Sequence, residues 1–404
     1  QLEPSLSQVV QVLVPSTAQA LASIAANRYE RPGDQLALIA ITGTNGKTTT
    51  NFLVDAMLEE AGLLPGLIGT VAYRYRGQSK PAPFTTPTPL LLHQTLAEMR
   101  ASGVRTVTLE ASSHALALHR LHGLHFRVVA FSNLTQDHLD FHHTMDAYFA
   151  AKASLFAPPL LPRAGETPDG KPGIGVVNID DPAGRRLAQL LPAEARLTVS
   201  IDGPADIQVV SEQHSIDGIN ATLSTPAGSL QLQSALTGRF NLANLALAAG
   251  IGVALGLPLP QIARGLARLP GVPGRMERVP LPAGVRGPAV FVDYAHTPDA
   301  LARTLVEARG LLTSPRGQLW CVFGCGGDKD PSKRPEMGRV ADQHADVVVL
   351  TNDNPRSEDP KNIIEDMRKG LKTARYLVIT DREKAIRAGL QILGPRQVLV
   401  IAGK

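Results

Sequence analysis

The run Thr42-Gly43-Thr44-Asn45-Gly46-Lys47-Thr48-Thr49-Thr50 follows the apolar stretch Leu38 to Ile41 and has the residue types of a phosphate cradle. Gly43 and Gly46 let the backbone turn tightly around Thr44 and Asn45 with its amides facing inward, and a helix starting behind them adds its positive end. Lys47 would supply a point charge for β- and γ-phosphates, and the Thr48 hydroxyl is placed to ligate Mg²⁺. The glycine usual five residues before Gly46 is Ile41 here, so the loop is a shorter variant of the common pattern. An ordinary strand-to-helix turn is the alternative, yet Gly-Lys-Thr directly after an apolar strand has few structural reasons to exist.

Other residues could bring chemistry to this loop. Glu110 closes an apolar strand, where a carboxylate can hold a nucleotide's Mg²⁺ or be a plain surface acid. Asp137-His138-Leu139-Asp140-Phe141-His142-His143 could ligate a metal, His138 first, or be a polar loop with capping aspartates. Lys152 stands alone in an apolar helix; it either snorkels to solvent or is desolvated, with a lowered pKa and the ability to take up CO₂ as a carbamate. Asn241 and Asn244 share a helix face and could touch a nucleotide, Asn241 being equally a candidate cap. Gly274-Arg275-Met276-Glu277 and Asp293-Tyr294-Ala295-His296 could reach a nucleotide or be a linker and a turn. Asp353-Asn354-Pro355-Arg356 presents an acid, an amide and a guanidinium in one turn, a grip for a zwitterion with Arg356 on its carboxylate.

The elements that must position these groups alternate. A helix is expected over Thr17 to Tyr29, with Leu21, Ile24 and Ala25 on its apolar face, and another over Asn51 to Ala61 behind the loop. Leu67 to Tyr75 reads as one strand, Leu90 to Ala101 as a helix, and Val104 to Glu110, Val128 to Asn133 and Gly175 to Asn178 as strands. Residues 158–173 are rich in Pro and Gly and read as a surface excursion. Parts of Leu197 to Leu232 alternate as β-hairpins do, and Asn241 to Leu255 is an alanine-rich helix. Past a boundary near residues 274–280 the rhythm restarts, with strands at Ala289 to Val292, Leu319 to Phe323, Ala345 to Leu350, Tyr376 to Ile379 and Gln397 to Ile401. The fold class is therefore α/β with mostly parallel sheets, whose ligands gather at the carboxyl ends of the strands.

At 404 residues the chain is long enough for two or three domains, and 44% hydrophobic content suffices for packed cores. A net charge of +4 without a long Lys/Arg run argues against nucleic acid as the partner. Cys321 and Cys325, the two cysteines, make neither a disulfide framework nor a complete zinc site, which points to the reducing cytoplasm. No apolar run reaches the roughly 18 residues that cross a bilayer, so membrane insertion is not expected.

Taken together and in order, the loop, Glu110-Ala111-Ser112-Ser113-His114, Asp137-His138-Leu139-Asp140, Gly238-Arg239-Phe240-Asn241 through Asn244, and the motifs at 274–277, 293–296 and 353–356 resemble those of the Mur ligases. The resemblance covers nearly the whole chain. It implies a central P-loop ATPase domain over residues 19–277 and a C-terminal Rossmann-like domain over 278–404 that binds the amino acid. Residues 1–18 would be a remnant of an otherwise absent N-terminal UDP-binding domain. It also implies ATP and Mg²⁺ as cofactors, and addition of meso-2,6-diaminopimelate to UDP-N-acetylmuramoyl-L-alanyl-D-glutamate through an acyl phosphate, by a cytoplasmic monomer.

The resemblance assigns ATP to Gly43, Thr44, Asn45, Gly46, Lys47, Thr48, Thr49, Asn241, Asn244, Arg275 and Asp293, and the metal to Thr48, Glu110, His138 and Lys152. Lys47, His138 and Lys152 would be catalytic, Lys152 matching a carbamylated lysine. Thr85, Thr86, Ser112, Leu118, Arg120 and Lys152 would meet the UDP-muramoyl dipeptide, and Lys329, Asp353, Asn354, Pro355, Arg356 and Gly403 the diaminopimelate. Two positions depart from the family pattern: Leu118 replaces a glutamine and Lys329 an arginine, which keeps the charge but loses the bidentate fork. A folylpolyglutamate synthase-like ligase and a non-enzymatic nucleotide switch are the alternative functions.

Overall fold

The structure, a computed structural model, describes residues 11–403 apart from 167–169, 283, 313 and 374. The expected remnant at 1–18 therefore lies largely outside the described residues. The chain forms two compact units with α/β architecture. One comprises the residues up to Glu212 with Ala221–Gln233 and Leu242–Arg268; the other comprises Gln213–Asn220, Ser234–Asn241 and the residues from Leu269 onward.

The strands of the first sheet are β1 (Ala37–Thr42), β2 (Pro65–Ile68), β3 (Ala72–Tyr75), β4 (Gln78–Pro81), β5 (Thr106–Glu110), β6 (Val128–Phe131), β7 (Ile174–Asn178), β8 (Arg196–Ser200), β9 (Ile207–Ser215), β10 (Gly218–Thr225) and β11 (Gly228–Ser234). They lie in the order β11-β10-β9-β8-β7-β6-β1-β5-β2-β3-β4. β1 is central, parallel to β5 on one side and β6 on the other, so the chain reverses its direction of winding there. That is where an open α/β sheet leaves a crevice for a ligand.

Around this sheet run α1 (Thr17–Arg28), α2 (Lys47–Glu60), α3 (Pro89–Ala101), α4 (Ser113–Ala117), α5 (Leu139–His142), α6 (Met145–Ala153), α7 (Pro182–Gln189), α8 (Arg239–Ala254) and α9 (Leu259–Ala267). Leu38 and Ala40 of β1 join Leu92, Leu96 and Met99 of α3 in one apolar layer. Ile39 and Ile41 are equally buried, and strand alternation turns them to the opposite face.

Three expectations about elements change. Leu21 and Ile24 of α1 are 47% and 64% exposed, and the buried face is Ala22, Ala25 and Ala26, whose small side chains let α1 lie close against α3. The single strand expected over Leu67 to Tyr75 is two, because the chain turns at Gly69 and Thr70 and β3 runs antiparallel to β2. The cause is tertiary: the Thr70 amide donates to Glu110 Oε1 at 2.8 Å, and a side chain at Gly69 would collide with that carboxylate. β8 is no hairpin arm, since it pairs parallel with both β7 and β9.

The second unit holds β12 (Glu277–Val279), β13 (Ala289–Asp293), α10 (Pro298–Gly310), β14 (Leu319–Phe323), α11 (Lys333–His344), β15 (Val347–Leu350), α12 (Pro360–Arg368), β16 (Arg375–Val378), α13 (Arg382–Ile392) and β17 (Val398–Ala402). Its sheet has the order β12-β13-β17-β14-β15-β16, parallel except for β12. Leu319, Cys321 and Phe323 enter one core with α10, α11 and α12, while Trp320 and Val322 enter another with Ala385 of α13. Covered on both faces, β14 reads as an unbroken apolar run, as buried parallel strands do.

Candidate active site

The phosphate loop lies beyond the carboxyl end of β1 and leads into α2. Gly43 (φ +145°) and Gly46 (φ +87°) occupy backbone conformations that side chains disfavour, and a Cβ there would strike the Ser132 hydroxyl or the Asn244 amide. Gly46 caps α2 without a side chain, so the amides of the first turn face outward for an anion. The segment after β6 clamps the loop: the Thr44 amide donates to Asn133 O at 2.9 Å, the Asn45 amide to Asn133 Oδ1 at 3.0 Å, and the Thr135 amide to the Thr44 hydroxyl at 3.0 Å. Sequence reasoning gave Ser132, Asn133 and Thr135 no role, although their place after a strand that neighbours β1 was the available signal.

Lys47 Nζ donates to the Gly43 and Thr44 carbonyls, both at 2.8 Å, which holds its charge over the loop. The Thr48 hydroxyl donates to Glu110 Oε2 at 3.0 Å. Glu110 is 1% exposed and also accepts the Thr70 hydroxyl at 3.0 Å, so its buried oxygens are met by fixed donors.

Lys152 on α6 is 1% exposed, which settles the choice between a snorkelling and a desolvated lysine. Its Nζ donates to Gly43 O at 2.8 Å and lies 4.6 Å from the Tyr148 ring centre. Burial pushes its pKa well below the usual lysine range, and Lys47 pushes the same way against Asp137. Beside it, His138 lies edge-on to His114, with ring centres 4.7 Å apart, and His142 packs on Tyr148 at 5.0 Å. Burial is the first cause that lowers the pKa of all three histidines, leaving neutral imidazoles. The Tyr148 hydroxyl is 3.1 Å from the Thr44 hydroxyl, which ties this cluster to the loop.

Among the described residues no group of three or more His, Cys, Asp or Glu side chains is arranged as a metal site. Magnesium at a nucleotide commonly takes only one or two protein ligands and completes its shell with phosphate and water. Thr48 and Glu110, already in contact, fit that demand, and neutral His138 is a further donor nearby in the loop after β6.

Thr85, Thr86, Ser112 and Arg120 come together beside Glu110. The Thr86 hydroxyl donates to Glu110 O at 2.7 Å and accepts the Ser112 amide at 3.0 Å, Arg120 Nη1 donates to Thr86 O at 2.9 Å, and the Thr85 and Thr70 hydroxyls are 3.1 Å apart. Leu118 is 43% exposed. Asn244 Oδ1 is 3.5 Å from the Thr50 hydroxyl, close against Gly46.

In the second unit Asn241 is buried, with Nδ2 donating to Thr237 O at 2.7 Å; α8 already begins at Arg239, so Asn241 is not its cap. Arg275 lies 5.1 Å over the Tyr294 ring. Asp293 accepts the Met276 and Ala295 amides at 2.7 and 2.9 Å; burial raises its pKa against these bonds. At the carboxyl end of the sheet the loop after β14 faces the loop after β15. The Gly327 amide donates to Asn354 O at 2.9 Å and Arg356 Nη1 to Gly327 O at 2.6 Å, with Asp353, Asn354 and Pro355 in the same turn. Gly403 (φ +83°) follows β17 at this end, and Lys329 is exposed.

Residues 41–252 match the Mur ligase middle domain, and residues 274–404 match the domain described as "Mur ligase, glutamate ligase domain". The chain belongs to the Mur ligase family. This Mur ligase is 42% identical to the UDP-N-acetylmuramoyl-L-alanyl-D-glutamate--2,6-diaminopimelate ligase of Thermosynechococcus vestitus, over 100% of the chain and 79% of that relative. It is 44% identical to the protein of the same name from Synechococcus elongatus, over 99% of the chain and 77% of the relative. A solved structure under that name aligns with a TM-score of 0.69 at 33% identity, covering 96% of this chain and 77% of the other. A Mycobacterium tuberculosis folylpolyglutamate synthase complexed with ADP aligns with a TM-score of 0.75 over 99% and 94%, but at 19% identity this is a likeness of fold alone. As a Mur ligase the chain is an ATP-dependent carboxylate–amine ligase.

Proposed function

We propose that this Mur ligase joins meso-2,6-diaminopimelate to UDP-N-acetylmuramoyl-L-alanyl-D-glutamate in peptidoglycan synthesis, converting ATP to ADP and phosphate. The observation that carries the reaction type is the pairing of a phosphate loop with the buried Thr48–Glu110 contact. Gly43 to Thr49 hold the nucleotide's phosphates through backbone amides and the Lys47 charge. Asn241, Asn244, Arg275 and Asp293 remain proposed nucleotide contacts on the family resemblance.

Thr48, Glu110 and His138 would hold Mg²⁺, which when bound neutralises charge on the transferring phosphoryl group. An oxygen of the dipeptide's carboxylate attacks the γ-phosphorus and ADP leaves, giving an acyl phosphate. The amine of diaminopimelate then attacks the carbonyl carbon, the C–O bond to phosphate breaks, and the amine proton passes to solvent or phosphate. Lys152, a buried amine of lowered pKa, is suited to take up CO₂ as a carbamate and so to place a negative charge beside Lys47 and the metal.

Thr85, Thr86, Ser112, Leu118 and Arg120 are proposed to orient the UDP-muramoyl dipeptide. Lys329, Asp353, Asn354, Pro355, Arg356 and Gly403 are proposed to take diaminopimelate, Arg356 pairing with its carboxylate. We assign residues 19–277 to the ATPase domain and 278–404 to the amino-acid domain, and suppose a cytoplasmic monomer. The test is an amine panel with the UDP-muramoyl dipeptide and ATP, product read by mass. Diaminopimelate as the preferred amine is expected; preference for lysine or glutamate would overturn the assignment.

A further inference from the structure

Arg334 lies in the first turn of α11, and its side chain is only 4% exposed. Its guanidinium bridges two acids from separate segments: Nη2 donates to Glu358 Oε1 at 2.7 Å and Nη1 to Asp366 Oδ2 at 3.2 Å on α12. Its Nε is buried without a partner, an unsatisfied donor that fold stability alone does not favour. The Glu358 oxygen that it grips also accepts the Asp328 amide at 2.5 Å. Asp328 in turn accepts the Ser357 hydroxyl at 2.6 Å, the residue next to Arg356.

The two loops joined this way are strained. Asp328 (φ +53°) and Arg356 (φ +51°) both sit in the left-handed region, which residues with side chains keep only where surrounding bonds over-determine them. A side chain at Gly327 would collide with the Pro355 carbonyl, so the loops also meet as closely as glycine allows. The bonds through Glu358, Asp328 and Ser357 run toward the turn that presents Arg356, while the bond to Asp366 anchors the other arm of the guanidinium on α12.

We propose that Arg334 is a positioning residue for the amino-acid substrate: through Glu358 and Asp328 it fixes the loop after β14 against the loop after β15, and thereby the aim of the Arg356 guanidinium. A lysine at 334 keeps the charge but cannot serve two acids with a planar fork. The inference rests on the reading that Arg356 binds the amino acid.

The test is a double-mutant cycle in steady-state kinetics with Arg334→Lys, Arg356→Ala and the pair, with Glu358→Gln as a milder break of the same relay. Arg334→Lys should raise the KM for diaminopimelate on the order of 10- to 100-fold, the scale expected for a misplaced binding group. The KM for ATP should stay unchanged, and Glu358→Gln should move the KM for diaminopimelate the same way. In the Arg356→Ala background Arg334→Lys should add little, because the group it aims is gone. Additive effects in the cycle, or equal rises in both KM values, would overturn the inference and leave Arg334 a structural residue. If the unmodified enzyme forms no amide with diaminopimelate, the functional reading fails instead, and the cycle is run with the amine that the panel identifies.

Discussion

Lys47 and Lys152 donate to one and the same oxygen, the Gly43 carbonyl, each at 2.8 Å. Two ammonium groups on one acceptor repel, and the buried partner is the one that gives up its charge. Burial and the neighbouring Lys47 charge both push the Lys152 amine toward its neutral form, the form that carbamate formation requires.

Replacing Lys152 by Met should abolish ligase activity and also stabilise the protein at neutral pH. The folded pKa is lowered from 10.5, so the unfolded state binds more protons and stability rises with pH up to that value. The variant's advantage in Tm should be present at neutral pH and shrink as the pH rises toward 10.5. Lys152→Ala should likewise be inactive and regain part of its activity with added acetate. Activity retained in either variant without rescue would remove Lys152 from the reaction.

Gly46→Ala puts a Cβ at φ +87° and against the Asn244 side chain. The left-handed conformation alone costs about 1–2 kcal/mol, and moving Asn244 disturbs the start of α2. The expected result is an ATP KM raised at least tenfold, on the 1.4 kcal/mol per decade scale, with the fold kept. An unchanged ATP KM would show that the loop does not hold the nucleotide.

His93 on α3 is 1% exposed, and neither ring nitrogen has a partner. Burial lowers its pKa from 6.5 to about 4, with Arg31 pushing the same way. For a depressed histidine, stability is complete above pH 6.5 and is lost as the pH falls toward 4. The loss at pH 5 should be on the order of 2 kcal/mol, and His93→Leu should be spared it. Urea denaturation at pH 7 and pH 5 compares the two proteins; an identical acid loss in both would contradict the assignment.

Arg356→Ala removes a guanidinium held on Gly327 in the second unit. The KM for diaminopimelate should rise far more than that for ATP, with kcat less affected. Equal rises in both would take Arg356 out of the amino-acid site.

Much of this was readable because the strands at 38–41 and 319–323 are buried on both faces and spell unbroken apolar runs. The α1 stripe was misread for a related reason: Leu21 and Ile24 outweigh alanines in hydrophobicity, but close packing on α3 selects Ala22, Ala25 and Ala26. The split of β2 from β3 depends on Glu110, about 40 residues away in sequence, so no local pattern reports it. Lys152 is the sharpest case, since a lone lysine in an apolar helix normally reaches solvent. Its burial follows from the fit of α6 against the loop. Arg334 and Asn133 carry no local signal because their partners are brought by segments distant in sequence.

The most direct test of the central claim labels the dipeptide's reacting carboxylate with ¹⁸O and follows the phosphate released with ATP and diaminopimelate. Attack of the carboxylate on the γ-phosphorus, followed by amine displacement, leaves one carboxylate oxygen in that phosphate. Phosphate carrying one ¹⁸O for each amide formed is the predicted result. Unlabelled phosphate released alongside amide would contradict the acyl phosphate and, with it, the job assigned to the loop at Gly43 to Thr49.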